Sequence, residues 1–565
     1  MRIFHSNGLA FAALSVLILG WLAGTPAALA QTTIQPEKLI DRPEVDRPEI
    51  VEEREIIFLP DEEIGAPDAS TEKVFKLKGV ILEGSEVYTD ADIDPIVAAY
   101  LGQEVSFADL NAIAQAVTRK YRIDGFVLSQ AVLPPQDIEG GILRLQAVEG
   151  RVTSIEIQGE YRERNGLIQR MADRILTDGP LNTGTMERYL LLIDDLPGIT
   201  ARGAIQPGDI QGGATLIIAI EQDMIEGSVG LDNLGSVFIG RYRGTVVGAV
   251  NSAFAMHDRT TVRAITTLFA NQTRELTFGD IMHEQQIGSD GLRIRARGAF
   301  THTHPGERLR HMGLEGESWN AEIQALYPMI RSRQFNINAL AGFRVRQSKN
   351  FIFSLKTSRD RTRQAWIGGE LDFTDPLGGV TQIELRGTHG FEIWNSTDDG
   401  LGRTRANGAH HFVAGSLRAT RIQTITGGVS ARVTVRGQLA DDPLLAGDEV
   451  SFGGTEIGRA YDFAEIVGDD GIGAVAELRW AGPPVHDLIE SYQFYGFYDF
   501  ASVWNQKPVV AEPGQISMAS AGAGVRFNFA HEVSGFFEFG VPLTKVVGSE
   551  GDNDLRLFFS LRKRF

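Results

Sequence analysis

The residues that could do covalent or metal chemistry are few in this chain, and their spacing does not gather them. Gly453-Gly454 followed by Gly458 has the outline of a phosphate loop. No helix is expected after it, however, and the sequence holds no Gly-Lys dipeptide to reach a phosphate. No Gly-x-Ser-x-Gly elbow is present to expose a nucleophilic serine. His302 and His304 can share a strand face, and His410 and His411 are adjacent. No carboxylates stand at ligand spacing around them, so they read as surface or interface histidines. The absence of cysteine excludes disulfides and thiolate metal sites and suits a chain that crosses an oxidising compartment. No catalytic residue, metal or cofactor is therefore expected.

The elements that position the remaining candidates fall into four blocks. Residues 1–30 read as a signal peptide, with Arg2, an apolar run from Leu9 to Leu22 and the small-residue site Ala28-Leu29-Ala30, which would leave Gln31 as the first mature residue. The apolar run is too short to span a bilayer comfortably, and no later run could cross as a helix. Residues 31–72 hold thirteen acidic against four basic side chains and five prolines, and read as an acidic, extended linker. That local −9 is nearly half of the formal net charge of −19, and it argues against a nucleic-acid partner.

Two compact β/α units follow. In the first, residues 73–150, a strand over 74–82 precedes a helix capped by Asp90 and ending at Leu101-Gly102. Ser106 opens a second helix with the apolar stripe Leu110, Ile113, Ala114, Val117 and Tyr121. Strands over 126–133 and 142–148 close the unit. The second, residues 151–224, repeats the β-α-α-β-β order, with strands over 152–157, 199–205 and 214–220 and helices over 167–176 and 185–193. A repeated small unit in series commonly offers a binding surface.

From residue 225 the hydrophobic period changes to two. Phe335, Ile337, Ala339, Ala341, Phe343 and Val345 alternate with Asn336, Asn338, Leu340, Gly342 and Arg344. Ser430, Arg432, Thr434, Arg436 and Gln438 alternate with apolar residues from Val429 to Leu439, and Leu555, Leu557, Phe559 and Leu561 alternate with Arg556, Ser560, Arg562 and Arg564. A polar face so rich in Arg suits a wet lumen, because Arg toward lipid would cost roughly 2–4 kcal/mol at the midplane. About sixteen strands fit into 225–565 at roughly 21 residues per strand and connection. The 63 glycines suit hairpins and bends. The expected fold is thus a transmembrane antiparallel β-barrel preceded by two α+β domains.

These residues resemble the two-partner secretion transporters, the TpsB family of haemolysin and filamentous-haemagglutinin exporters, in which two periplasmic POTRA domains precede a sixteen-stranded barrel. The resemblance rests on segments 121–127 (Tyr121 to Val127), 133–137 (Leu133 to Asp137), 148–150, 190–198, 232–236 and 327–333 in the family order. It also rests on Gly458-Arg459-Ala460-Tyr461, similar to the family's lumenal-loop tip, and on Phe497-Tyr498-Asp499-Phe500-Ala501, similar to its partner strand motif. Alanine stands at 460 and 501 where the family has glycine, which puts the loop-tip conformation at issue.

The resemblance implies an Arg459–Asp499 anchor with Tyr461 and Phe497 beside it, and client contacts at Tyr121, Phe126, Gln136 and Asp137. Phe565, after an alternating strand, resembles the assembly signal read by the barrel-assembly machinery. The implied function is binding of an unfolded haemolysin- or adhesin-like exoprotein in the periplasm and its export through a barrel in outer-membrane lipid of a bacterial cell. Folding of the client outside would drive the export. A barrel insertase and a passive porin are the alternatives. Two periplasmic units are few for an insertase, and a porin needs none. Whether residues 31–55 hold a pore-plugging helix stays open, the Pro-rich repeat arguing against a long one.

Overall fold

The computed structural model describes residues 38–39 and 72–565, apart from 139, 177–178, 209, 211, 270–273, 398–401, 485, 487 and 510–511. The expected signal peptide and most of the acidic linker lie outside the described residues.

The first unit contains β1 (Lys73–Lys76), β2 (Gly79–Glu83), α1 (Asp90–Val97), β3 (Glu104–Ser106), α2 (Phe107–Ile123), β4 (Gln130–Val132) and β5 (Ile142–Val148). The single strand expected over 74–82 is two strands. β1 pairs with β3, while β2 runs parallel to β5. The change of partner falls at Leu77-Lys78, where Leu77 bonds Gln103 and Lys78 bonds Gly141. Asp90 is the first helical residue rather than the cap. Thr89 is the N-cap, and Asp92 reaches back to its backbone N–H at 2.8 Å. The helix stops at Val97, before Leu101-Gly102. The second helix does start from a Ser106 cap, boxed by Asp109, and its stripe Leu110, Ile113, Ala114, Val117 and Tyr121 is buried. The strand expected over 126–133 shrinks to β4.

The second unit comprises β6 (Arg151–Gln158), α3 (Leu167–Ala172), α4 (Thr183–Asp194), β7 (Ile199–Pro207) and β8 (Gly213–Gln222), with sheet order β6-β8-β7. α3 ends four residues earlier than its apolar pattern suggested. Ile168, Met171, Ile193, Leu216 and Ile218 form the centre of the core.

Beyond them, sixteen antiparallel strands close into a barrel. The first, Ile225–Asp232, pairs with the last, Arg556–Arg564, over Ser560↔Asp232 to Arg564↔Ser228. The period-two reading holds in detail. Thr434 and Arg556 are buried inside, whereas Val433, Leu439, Leu557 and Leu561 are exposed on the outer wall. An apolar outer wall around a charged interior is the arrangement lipid imposes on a spanning sheet.

The second unit is docked to the turns at the end of the barrel where the chain enters. Arg331 makes a two-pronged bond to Asp195, both contacts at 2.8 Å. Arg188 donates to the Pro328 carbonyl at 2.9 Å and Tyr189 to Asp290 at 3.0 Å. Buried His257, in the first turn, meets Glu163 at 3.1 Å. Two of the segments singled out in the sequence, 190–198 and 327–333, thus meet at this junction.

Candidate functional site

The candidate site is a 29-residue excursion, residues 441–469, between the strands Val429–Ala440 and Asp470–Ala481. The chain leaves the wall at the end opposite the second unit and turns back into the lumen as a small hairpin, Val450–Phe452 with Ile466–Gly468. Val450, Phe452, Ile457, Tyr461 and Ile466 pack on Val475, Tyr495, Phe497, Ala501, Val503 and Met518 of the wall. A dry cluster inside an otherwise wet pore gives the loop a fixed seat.

The tip is shaped by glycine, but not at position 460. Gly453 (φ 117°) and Gly458 (φ 86°) take the left-handed conformations, and Cβ atoms there would lie 2.1 Å from the Asp462 carbonyl and 2.3 Å from Met518. Ala460 is not among the residues with positive φ and is fully buried, so alanine fits the tip without strain. Its methyl faces Gly540, where an added Cβ would sit 3.0 Å away.

Arg459 is buried among carboxylates. Its guanidinium donates to Glu477 at 2.6 Å and to Glu538 at 3.3 Å, and lies over the Phe497 ring at 3.8 Å. Asp499 accepts the backbone N–H of Arg459 at 3.1 Å and the Ser520 hydroxyl, while its carboxylate is 3.9 Å from the Arg459 Nε. Arg459 and Asp499 are therefore together, but the shortest side-chain bonds of Arg459 go to Glu477 and Glu538. Arg526 and Arg479 balance Glu477 at 2.8 and 2.6 Å, and Tyr495 donates to Glu538 at 2.8 Å. Tyr461 donates to the Ala519 carbonyl at 3.0 Å, and Arg556 grips the Ala460 carbonyl at 2.9 Å. Glu477 and Glu538 went unnoticed in the sequence. The available signal was a carboxylate on the inward face of an alternating strand, as in Phe536-Phe537-Glu538-Phe539.

Of residues 31–55, the structure describes Lys38 and Leu39, both helical. Lys38 donates to the carbonyls of Gly447 (3.2 Å) and Glu449 at the loop base, and Leu39 packs on Ile239 and Leu276. Lys38 borders a lumenal cavity of 620 Å³ lined by charged side chains that include Arg263, Asp280, Arg297, Glu322 and Arg344. Among the described residues no cluster of His, Asp and Glu suits a metal ion. The arrangement can hold or release a loop by charge-assisted bonds.

Among the expected client contacts of the first unit, Tyr121 does not lie at the surface. Tyr121 is fully buried, and its hydroxyl donates to Glu149 at 2.6 Å, so it is a core residue and cannot touch a client. The reason is its place on the buried stripe of α2. Phe126 is half-buried and meets Tyr121 edge-on. Gln136 bonds the backbone of Arg144 through both amide atoms, at 2.6 and 2.9 Å, shielding β5 where β4 stops. Asp137 is exposed. Phe565 exchanges backbone bonds with Gly227 at 2.8 and 3.0 Å, and its ring is 68% exposed.

Glu149 is the hub of that unit, accepting from Tyr121, Ser85 (2.7 Å), Glu86 N (2.8 Å) and Val87 N (3.2 Å). Burial alone would raise its pKa, but these donors together hold it below the ordinary carboxylate value. Its stabilising contribution is therefore complete above the unfolded value near ~4.3 and is lost as pH falls through the folded value. Glu149→Gln is expected to destabilise the unit by about 1–3 kcal/mol at neutral pH. The variant should be digested faster in limited proteolysis of the full protein at pH 7, with the gap to wild type closing in acid. Equal rates at pH 7 would remove Glu149 from this role.

A sixteen-stranded barrel with a lumenal loop and docked α/β units in series defines the class of outer-membrane protein transporters. The model of the haemolysin secretion/activation protein family ShlB/FhaC/HecB matches residues 213–527, and the ShlB-type POTRA domain matches residues 75–150. The chain belongs to that family, with its barrel in the bacterial outer membrane and its POTRA domains in the periplasm. It is 23% identical to the heme/hemopexin transporter protein HuxB of Haemophilus influenzae (strain 86-028NP), over 83% of this chain and 82% of HuxB. It is also 23% identical to the outer membrane transporter CdiB of Escherichia coli, over 79% of this chain and 76% of CdiB. The solved structure of CdiB from Escherichia coli shares the fold over both whole chains, at a TM-score of 0.73 and 19% identity, and that of CdiB from Acinetobacter baumannii at 0.64 and 16%. The protein is thus a two-partner secretion transporter with a secreted exoprotein as its partner.

Proposed function

We propose that this transporter captures an unfolded exoprotein of the haemolysin or adhesin type through two POTRA units, residues 73–150 and 151–224, and exports it through the barrel, residues 225–565, without catalysing any reaction. The observation that carries the reading is Arg459, buried in a carboxylate cage at the tip of a loop folded back into the pore. A fixed loop held by polar bonds, rather than by backbone continuity, is one that a client can displace. In this reading Arg459, Asp499, Tyr461 and Phe497 are the anchor, and Phe565 is the contact for the barrel-assembly machinery.

Client capture is by strand addition. Outer strand β6, eight residues long, pairs only with β8 among the described residues. In the first unit Gln136 and the carboxylate of Asp90, which accepts from Leu82 N at 2.9 Å, already cover parts of the sheet edges. Phe126 and Asp137 remain as surface contacts there.

The test is secretion of the candidate exoprotein in cells carrying wild type or a deletion of residues 74–222. The client is expected in the medium with wild type alone, while the deleted form still inserts as a barrel. A client that reaches the medium without this protein, in cells whose other barrels fail to assemble, would instead support an insertase.

A further inference from the structure

The barrel's outer wall carries a charged patch away from the lumen. In the strand Leu355–Thr374, Ser358, Asp360, Thr362, Gln364 and Trp366 are buried on the lumenal side, so Arg359, Arg361, Arg363 and Ile367 face outward. Ile367 is 71% exposed, as a lipid-facing residue should be. Across the pairing register, Arg359 lies opposite Lys349, Arg361 opposite Gln347 and Arg363 opposite Val345.

The height of this patch follows from the neighbouring strand. From Phe335 to Val345 its outward face is wholly apolar. Ten residues of tilted strand rise about 25 Å, the height of a barrel's apolar band. That strand starts at the turn facing the POTRA units, so the cations stand just above the band, on the extracellular side. Aromatic side chains mark the same level. Trp319 is 42% exposed and Trp394 70%, and Trp394 meets Phe343 edge-on at 5.6 Å.

The partners of these cations are unlike those in the lumen. Inside, several arginines are matched, as Arg344 with Glu322 at 3.0 Å and Arg297 with Asp280 at 2.7 Å. Outside, Lys349 pairs with Glu317 at 3.1 Å, and Arg363, though on the outer face, is itself buried and donates to the carbonyls of Arg346, Thr362 and Trp394. Among the described residues the Arg359 side chain donates only to the neutral Gln347 amide oxygen, at 2.6 and 3.1 Å. Arg361 has its Nε buried without a hydrogen-bond partner. Among the described residues neither Arg359 nor Arg361 has a carboxylate counter-ion.

We propose that Arg359 and Arg361, flanked by Lys349, bind the phosphate of a phosphorylated lipid in the outer leaflet, whose acyl chains lie on the apolar wall below. Guanidinium groups match phosphate geometry, and the interface lowers the screening that weakens such pairs in water. The continuous apolar wall favours a lipid over free phosphate.

The test uses the full protein in detergent, with purified lipid A and its dephosphorylated form as probes and native mass spectrometry as the readout. Wild type should retain phosphorylated lipid A, and Arg359→Gln/Arg361→Gln should bind it about 30-fold more weakly, at roughly fivefold per basic side chain. Arg359→Lys/Arg361→Lys should bind more weakly than wild type but more tightly than the glutamine pair, because the charges remain while the two-pronged guanidinium geometry is lost. Arg202→Gln, on an exposed arginine of the second unit, should change nothing. Heat-dependent gel mobility confirms that each barrel is folded. Should the glutamine pair fail to fold, wild type with the dephosphorylated lipid is decisive without any substitution. Equal retention of both lipids, or unaltered binding by a folded glutamine pair, would overturn the proposal. So would complete displacement by millimolar inorganic phosphate, which would leave an anion site with no preference for lipid.

Discussion

Arg459→Ala is expected to abolish export while leaving the barrel folded and inserted. The substitution removes the one loop cation that faces Glu477, Glu538 and Asp499. Glu477 keeps Arg526 and Arg479, but Glu538 keeps only the Tyr495 hydroxyl from its present donors, and Asp499 keeps Ser520 and the loop N–H. Removing one partner of a buried ion pair costs about 3–5 kcal/mol, because the other charge stays buried. That corresponds to a fall of roughly 150- to 4,000-fold in the docked population of the loop. Secretion should drop below about a tenth of wild type if the docked loop is the state from which a client enters.

The chain has no cysteine, so Thr455→Cys places a single thiol on the loop for maleimide labelling. In the Arg459→Ala background that thiol should react much faster. Adding Glu538→Ala should slow it again, since the uncompensated carboxylate is then gone. Unaltered labelling together with normal secretion would remove Arg459 from the mechanism.

The parts of this molecule legible in the sequence are those set by local periodicity. The Ser106 cap and the stripe down to Tyr121 follow from spacing alone, and so do the inward and outward faces of the last strand. What was hidden depends on partners distant in sequence. The break at Leu77-Lys78 exists because β1 and β2 pair with different strands, which no local pattern records. The stripe that made Tyr121 visible also buries it, so a segment singled out by resemblance proved to hold a core hydrogen bond to Glu149 rather than a client contact. The carboxylates around Arg459 come from three strands up to 79 residues away. Their common property is position on the lumenal face. The family resemblance drew attention to Asp499, and only the closed barrel shows Glu477 and Glu538 beside it.

The second large effect is expected at the other end of the same loop. Arg405 belongs to the extracellular connection between the strands Gly379–Gly390 and Val413–Thr426, and it is buried against the foot of the lumenal loop. It bonds Asp469, approaches Glu512 at 2.8 Å and Glu449 at 3.6 Å, and donates to the Gln506 carbonyl at 3.3 Å. Asp469 also accepts from Leu444 N at 2.6 Å and Gln506 N at 2.7 Å. One guanidinium thus ties three extracellular connections together. Arg405→Ala would leave three neighbouring carboxylates without it, again at about 3–5 kcal/mol. The connections should spread, and the outer membrane should become permeable to antibiotics as large as vancomycin. A thiol at Ala446→Cys should then label rapidly while one at Thr455→Cys stays slow, because Arg459 still holds the tip. Asp469→Asn should restore part of the barrier by removing a repelling charge. If both thiols respond together, the loop moves as one body and the two ends are a single lock. If only the first responds, stem and tip release separately, and a client entering from the periplasm meets the Arg459 cage before the Arg405 clasp.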